Sequence, residues 1–216
     1  MQLELRKGAI QDSVRKFYGD LPPTEAAKAR RAGLIAWDIE TSGLNWKKDK
    51  IATCQIFVPS RDVYLVQFNG SMNTPLNLAS LMNDSKVIKI FHHAMFDMRF
   101  MGFHWDMQPN NVVCTKIASK LLEPAETDHS LQRILQRYLN IHIDKDHRVS
   151  NWLIDELSKE QLEYAVSDVI YLPTLFTLLK ASLERRNRWN IATKVFEFLP
   201  VRVHLDLLGA GDVYRY

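Results

Sequence analysis

The sequence predicts an α/β protein, with a mixed central β-sheet and helices packed against it. Short apolar runs bounded by turn residues fill the first half, and helical periodicity takes over after residue 97. Strands first and helices later is the pattern of a sheet layered with helices. At 216 residues, 46% hydrophobic and 25% charged, the chain suits one domain with a sizeable core.

Taken in order, residues 11–31 read as polar helical or loop material around Leu21-Pro22-Pro23. Gly33-Leu34-Ile35-Ala36-Trp37 is a short apolar run of the buried-strand kind, and Asp38 to Gly43 end it. Residues 51–58 and 62–68 form two paired strands joined by Pro59-Ser60-Arg61. Residues 76–82 make a short helix, and Val87 to Phe91 a further buried strand ending in His92-His93. Residues 115–122 and 130–139 carry apolar residues at helical spacing. Ser158-Lys159-Glu160-Gln161 is a capping-box start for a helix over 162–172, followed by helices over 174–189 and 191–199. These elements divide the chain into an N-terminal extension (1–32), a main domain (33–200) and a C-terminal tail (201–216) that could serve as an oligomer interface.

No apolar run approaches the roughly 20 residues of a membrane span, so no membrane partner is expected. The first residues carry Glu4, Arg6 and Lys7 where a signal peptide would be apolar, and a cytoplasmic location follows as the default. Cys54 and Cys114 stand alone, without a CxxC, and are read as reduced, buried thiols. A net charge of +3 is too mild to demand a polyanionic partner. The clusters Lys28, Arg30, Arg31 and Arg185, Arg186, Arg188 could attract phosphates or simply be solvated faces. The segment from His142 to His147 has no recognised ligand geometry and reads as a solvated loop.

Four acids stand out. Asp38 and Glu40 are separated by one residue at the end of a buried run, and on an extended backbone such residues project to the same side. Two carboxylates facing one point suit Mg²⁺ or Mn²⁺, which take hard oxygen ligands. Asp97 follows the next strand, and Asp168 lies four residues after Tyr164, on the same face of an apolar helix. An inward carboxylate there needs a partner, and a metal ion would supply one. Each acid alone has a bland reading as a turn former, cap or salt-bridge member.

Together, Trp37-Asp38-Ile39-Glu40-Thr41-Ser42-Gly43-Leu44, Phe91-His92-His93-Ala94-Met95-Phe96-Asp97 and Tyr164 to Leu172 resemble the three motifs of the tyrosine-bearing branch of DEDD exonucleases. Ribonuclease D and the proofreading domains of family A polymerases belong to that superfamily. Ser150-Asn151-Trp152 and Gln161 to Tyr164 are similar to the approach to the third motif in ribonuclease D, with Asn151 where that stretch carries Asp. Cys114 to Leu121 and Phe198 to Arg202, with Leu205-Asp206-Leu207, resemble the small nanoRNase C group of that family.

The resemblance implies a ribonuclease-H-like fold and a 3′→5′ exonuclease. It implies that Asp38, Glu40, Asp97 and Asp168 hold two divalent cations, Mg²⁺ or Mn²⁺, and that Tyr164 orients the attacking water. Nucleoside 5′-monophosphates would be released from short RNA or dinucleotides, by a homo-oligomer forming an octameric ring. Thr41 and Leu44 fall where the family grips the terminal nucleotide, although Leu44 also reads as a core leucine; His92 is either a phosphate contact or a structural histidine. The alternatives are a general ribonuclease-D-like enzyme on longer RNA or DNA 3′ ends, and an inactive nucleic-acid-binding module.

Overall fold

A computed structural model describes residues 14–59, 62–70, 73–143 and 150–215. The strands are β1 (Val14–Tyr18), β2 (Leu34–Thr41), β3 (Ile51–Phe57), β4 (Val63–Gln67), β5 (Ile88–Phe91) and β6 (Val112–Cys114). The helices are α1 (Pro23–Ala32), α2 (Leu76–Asn83), α3 (Ala94–Trp105), α4 (Thr115–Leu122), α5 (Leu131–Leu139), α6 (Lys159–Ile170), α7 (Leu172–Arg185) and α8 (Trp189–Leu207). They build one sheet in the order β1-β4-β3-β2-β5-β6. The β2–β3 and β3–β4 pairs are antiparallel; β1–β4, β2–β5 and β5–β6 are parallel. The expected mixed sheet with flanking helices is therefore present.

Helices cover both faces, which is why the central strands read as nearly unbroken apolar runs rather than alternating ones. All five residues of β4 are buried, as are six of the seven in β3. Trp37 and Phe91 stack on one face with ring centroids 6.3 Å apart, among the largest fully buried side chains.

Several elements differ from the sequence expectation. Residues 14–18, placed in an N-terminal extension, form the edge strand β1, and α1 packs against α2 and β2. The sequence Val-Arg-Lys-Phe-Tyr carries charges suited to an exposed edge. One of them, Arg15, reaches the buried Glu25 of α1 at 2.7 Å. Gly33 does not begin the strand: it caps α1 at φ 70, in the left-handed region that glycine enters most readily. Asp38 and Glu40 lie inside β2 rather than beyond it.

The helix expected to stop at 199 continues as α8 through Pro200 to Leu207. Proline removes one backbone hydrogen bond, but Phe196, Leu199 and Val203 remain buried on either side. Asp206 then clamps the end: its carboxylate accepts from Arg99 Nε of α3 at 2.6 Å and pairs with Arg202 at 2.6 Å. Part of the expected tail is thus a docked helix.

Most members of the basic clusters have structural partners. Arg186 and Arg188 each donate at 2.7 Å to the last carbonyls of α4, on Leu122 and Leu121 respectively. Arg30 pairs with Asp84 and Lys28 with Glu25. The residues from Lys159 to Arg185 are apolar and long enough to resemble a membrane-crossing helix. They are two helices meeting at Tyr171, and they bury Ala165, Val169, Leu172, Leu175 and Leu179 in the core. Cys54 and Cys114 are free and buried. Of the loop read at 142–147, residues 144–147 lie outside the described residues.

Asp206→Ala is expected to cost about 1–3 kcal/mol, because it strands Arg99 and takes one of two partners from Arg202 at a largely buried site. Glu197→Ala, at an exposed position of the same helix, should stay within about 0.5 kcal/mol. Urea denaturation of the two variants checks this difference.

Candidate metal centre and active site

β2 pairs with β5 only from Leu34 to Ala36. Beyond that point the two parallel strands lead into separate structures, at the carboxyl ends where open α/β sheets place their sites. The Ile39 N–H, past the last paired residue, is taken up by Asp97 Oδ1 at 3.1 Å. Asp97 reaches it from the first turn of α3, which begins after His93 at φ 70. This one hydrogen bond fixes the second motif against the first.

Strand alternation puts Asp38 and Glu40 on the same face of β2. A register shift between Glu40 and Thr41 bends the ladder beside them, the kind of irregularity that re-aims side chains at sites. That face is covered by α6 and the segment before it, where Trp152, Leu157 and Ala165 pack with Leu65. The start of α6 is fixed by a capping box between Ser158 and Gln161. Gln161 Nε2 also donates to Ser150 Oγ and the Asn151 carbonyl, both at 3.0 Å. So held, α6 presents Tyr164 and Asp168 one turn apart, with the Tyr164 ring 5.9 Å from Trp152.

Asp38, Glu40 and Asp168 each offer one carboxylate oxygen within 4.8 Å of the others. Asp97 does not join that group, but after burial it acts most strongly on Asp38. Burial, followed by mutual repulsion, pushes Asp38 and Glu40 well above the usual carboxylate range. Asp97 is raised as well, chiefly by burial. Burial also takes Asp168 up to about 7, despite a hydrogen bond from Tyr164. The groups acting on Asp38 are all acids. Converging hard oxygen donors with no basic side chain among their strongest neighbours suit a divalent cation.

Tyr164 is raised too, by burial first and then by Asp168, so it stays a protonated donor. Thr41 Oγ1 donates to the Gly43 carbonyl at 2.6 Å. Leu44 is 85% exposed at the tip of this loop, which rules out its reading as a core leucine. The loop folds around Asp49, which accepts from the Asn45 N–H at 2.8 Å. A Cβ at Gly43 would lie 2.5 Å from the same carboxylate, so a larger residue there would have to displace Asp49 from its bond to the loop. Trp46 meets Phe103 of α3 edge-on at 5.3 Å, with Lys47 above its ring at 4.9 Å.

His92 is hydrogen-bonded to the start of α4. Its Nδ1 lies 2.9 Å from Thr115 Oγ1, and burial followed by the charge of Lys116 pushes its pKa down to about 3. A neutral, buried imidazole fits the structural reading better than a phosphate contact. The sequence reading passed over Thr53 and Gln55, which are fully buried on β3 opposite Glu40 and Asp38. Their only signal there was polarity within an apolar strand.

The acids bind more protons folded than unfolded, so stability in chelator falls as pH rises from about 4, their unfolded range, to about 7. Melting in EDTA should therefore weaken from pH 5 to pH 8. Mg²⁺ or Mn²⁺ should raise the melting temperature more at pH 8 than at pH 5, because it binds the ionised cluster.

Residues 24–184 match a family model described as 3′-5′ exonuclease. Ribonuclease D of Nitrobacter hamburgensis is 31% identical over 119 residues, covering 55% of this chain and 31% of that protein. The chain thus spans just under a third of the ribonuclease D relative's length. The solved structure of Brucella melitensis NrnC is 35% identical, with a TM-score of 0.88 over 95% of this chain and 99% of that one. NrnC has also been solved bound to pGG and with Mg²⁺. Escherichia coli RNase D, at 19% identity, shares the fold with a TM-score of 0.73 over 83% of this chain and 47% of that one. With its acids gathered at the strand ends and this likeness over most of its length, the chain belongs to the 3′-5′ exonuclease family of ribonuclease D and NrnC, whose members are hydrolytic nucleases.

Proposed function

We propose that this protein is a 3′→5′ exoribonuclease that degrades short RNA, dinucleotides included, to nucleoside 5′-monophosphates. The cluster of Asp38, Glu40 and Asp168 with Asp97 and Tyr164 beside it carries the reading. The preference for short substrates is supported by the near full-length likeness to NrnC, a protein solved with pGG.

Asp38, Glu40, Asp97 and Asp168 would hold two ions, Mg²⁺ or Mn²⁺, which would supply an acidified water and stabilise the leaving 3′-oxygen. Tyr164 keeps its proton, so its hydroxyl orients the attacking water by hydrogen bonding rather than abstracting a proton. Asp168 holds that hydroxyl in place. Leu44, exposed on the rim, would wedge against the terminal base, and Thr41 would help shape the loop that carries it. Lys47, Lys48 and Lys50 are exposed on the same loop, where their charge favours a phosphate-bearing ligand.

A homo-oligomeric ring, an octamer, belongs to the same proposal. Ile191, Val195 and Val201 of α8 are exposed, and Tyr214 of the tail lies on Phe198 with ring centroids 6.4 Å apart. A cytoplasmic location goes with it, supported by the two free thiols. Light scattering coupled to size exclusion should give the octamer mass; a monomer would remove the ring.

Incubated with a 5′-labelled dinucleotide and a labelled RNA of about 20 nucleotides, the protein should prefer the dinucleotide and require Mg²⁺ or Mn²⁺. Asp38→Ala should be inactive, and Tyr164→Phe should lose roughly 10²-fold in kcat with the metal requirement unchanged. A ladder from the 3′ end of the longer RNA, with the dinucleotide spared, would assign the general ribonuclease-D-like alternative. Tight RNA binding without any cleavage would assign the inactive binding module.

A further inference from the structure

The residues opposite the acids on β3 point to a role that the carboxylates alone do not explain. In the antiparallel β2–β3 ladder, Asp38 faces Gln55 and Glu40 faces Thr53. Directly opposed side chains on one sheet face have Cβ atoms about 4.5–5.5 Å apart, within contact range. Both Gln55 and Thr53 are fully buried. Gln55 Nε2 is placed 3.0 Å from Thr53 Oγ1, and Gln55 Oε1 is a buried acceptor without a partner.

An unmet acceptor at full burial carries a cost, and the two ends of a carboxamide are distinguished by hydrogen bonding rather than by shape. Turned over, the amide accepts from the Thr53 hydroxyl, and its NH₂ becomes the group left to donate. The nearest position in register that carries a charge is Asp38. When the cluster is ionised, its carboxylates need donors, and the groups acting on Asp38 supply only negative charge. A neutral donor beside a metal-binding carboxylate holds it in one orientation without competing for the cation.

We infer that Gln55 is a positioning residue for the metal centre: anchored by Thr53, its side-chain NH₂ donates to Asp38 and holds that carboxylate for the cation. The inference rests on the metal-centre reading above. The Thr53 hydroxyl can accept from or donate to the amide, so it anchors either orientation, and the facing carboxylate decides which end is presented. Both residues are fully buried, so the role is one of positioning.

The test is Mn²⁺ binding by wild type, Gln55→Met and Thr53→Val, read as thermal stabilisation across a metal titration at pH 8, without substrate. Gln55→Met keeps the bulk and removes the amide. In EDTA it should melt somewhat below the wild-type temperature, since it leaves the Thr53 hydroxyl and Asp38 without their partner. Its Mn²⁺ midpoint should rise about 10–100-fold, as when a partner of a metal ligand is lost. Thr53→Val should shift the midpoint in the same direction by a smaller factor. An unchanged Mn²⁺ midpoint in Gln55→Met would overturn the inference and make Gln55 a filler of the strand. Should that variant fail to fold, Thr53→Val decides alone: a shifted midpoint with wild-type melting in EDTA supports the pairing, and an unshifted one overturns it. Wild type that shows no response to Mn²⁺ would instead sink the metal-centre reading, a distinct result.

Discussion

Mutual repulsion among four carboxylates is the constraint on which the rest of this structure depends. Asp38, Glu40, Asp97 and Asp168 arrive from β2, α3 and α6, and burial leaves water little room to screen them. Left to themselves such groups take up protons or move apart. Here they are held by elements that have other reasons to be where they are. β2 is central to the sheet, α3 is tied to it through Asp97 and the Ile39 N–H, and α6 is held by its capping box and by Trp152, Leu157 and Ala165. The energy of packing holds the charges together, and the cluster is therefore prepared for a cation before one arrives.

The same frame explains the surroundings. Because the β2–β5 pairing ends at Ala36, the first and second motifs diverge from there. The loop after β2 folds back on Asp49 and rests on α3 through Trp46 and Phe103, which leaves Leu44 projecting into solvent at the rim. At the far end, Asp206 joins α8 to Arg99, two residues beyond Asp97 on α3. The helix that carries one acid is thus braced from the C-terminal side of the chain.

Much of this was legible in the sequence, for particular reasons. Buried strands such as Ile51–Phe57 announce themselves as apolar runs, and Ser158 and Gln161 mark a helix start through the donors they satisfy. The alternation of Asp38 and Glu40, and the helical spacing of Tyr164 and Asp168, follow from backbone periodicity. What escaped the sequence depended on tertiary partners. Val14–Tyr18 reads as polar because an edge strand is half solvated, and its place is set by pairing with β4. Pro200 reads as a stop, yet packing on both sides carries the helix past it. Arg186 and Arg188 read as a phosphate patch or a solvated face, but they spend donors on the end of α4. Gln55 is ordinary in sequence and becomes informative only when the ladder sets it opposite Asp38.

The central claim is that the cluster is a divalent-metal centre whose acids ionise on loading. Calorimetric titration of the wild-type protein with Mn²⁺ at pH 7, repeated in two buffers of different ionisation enthalpy, tests it directly. The account predicts saturable binding of two ions with net proton release, because at least one acid, Asp168, titrates at about 7 in the metal-free protein. Saturable binding that releases no protons, or no binding at all, would contradict it.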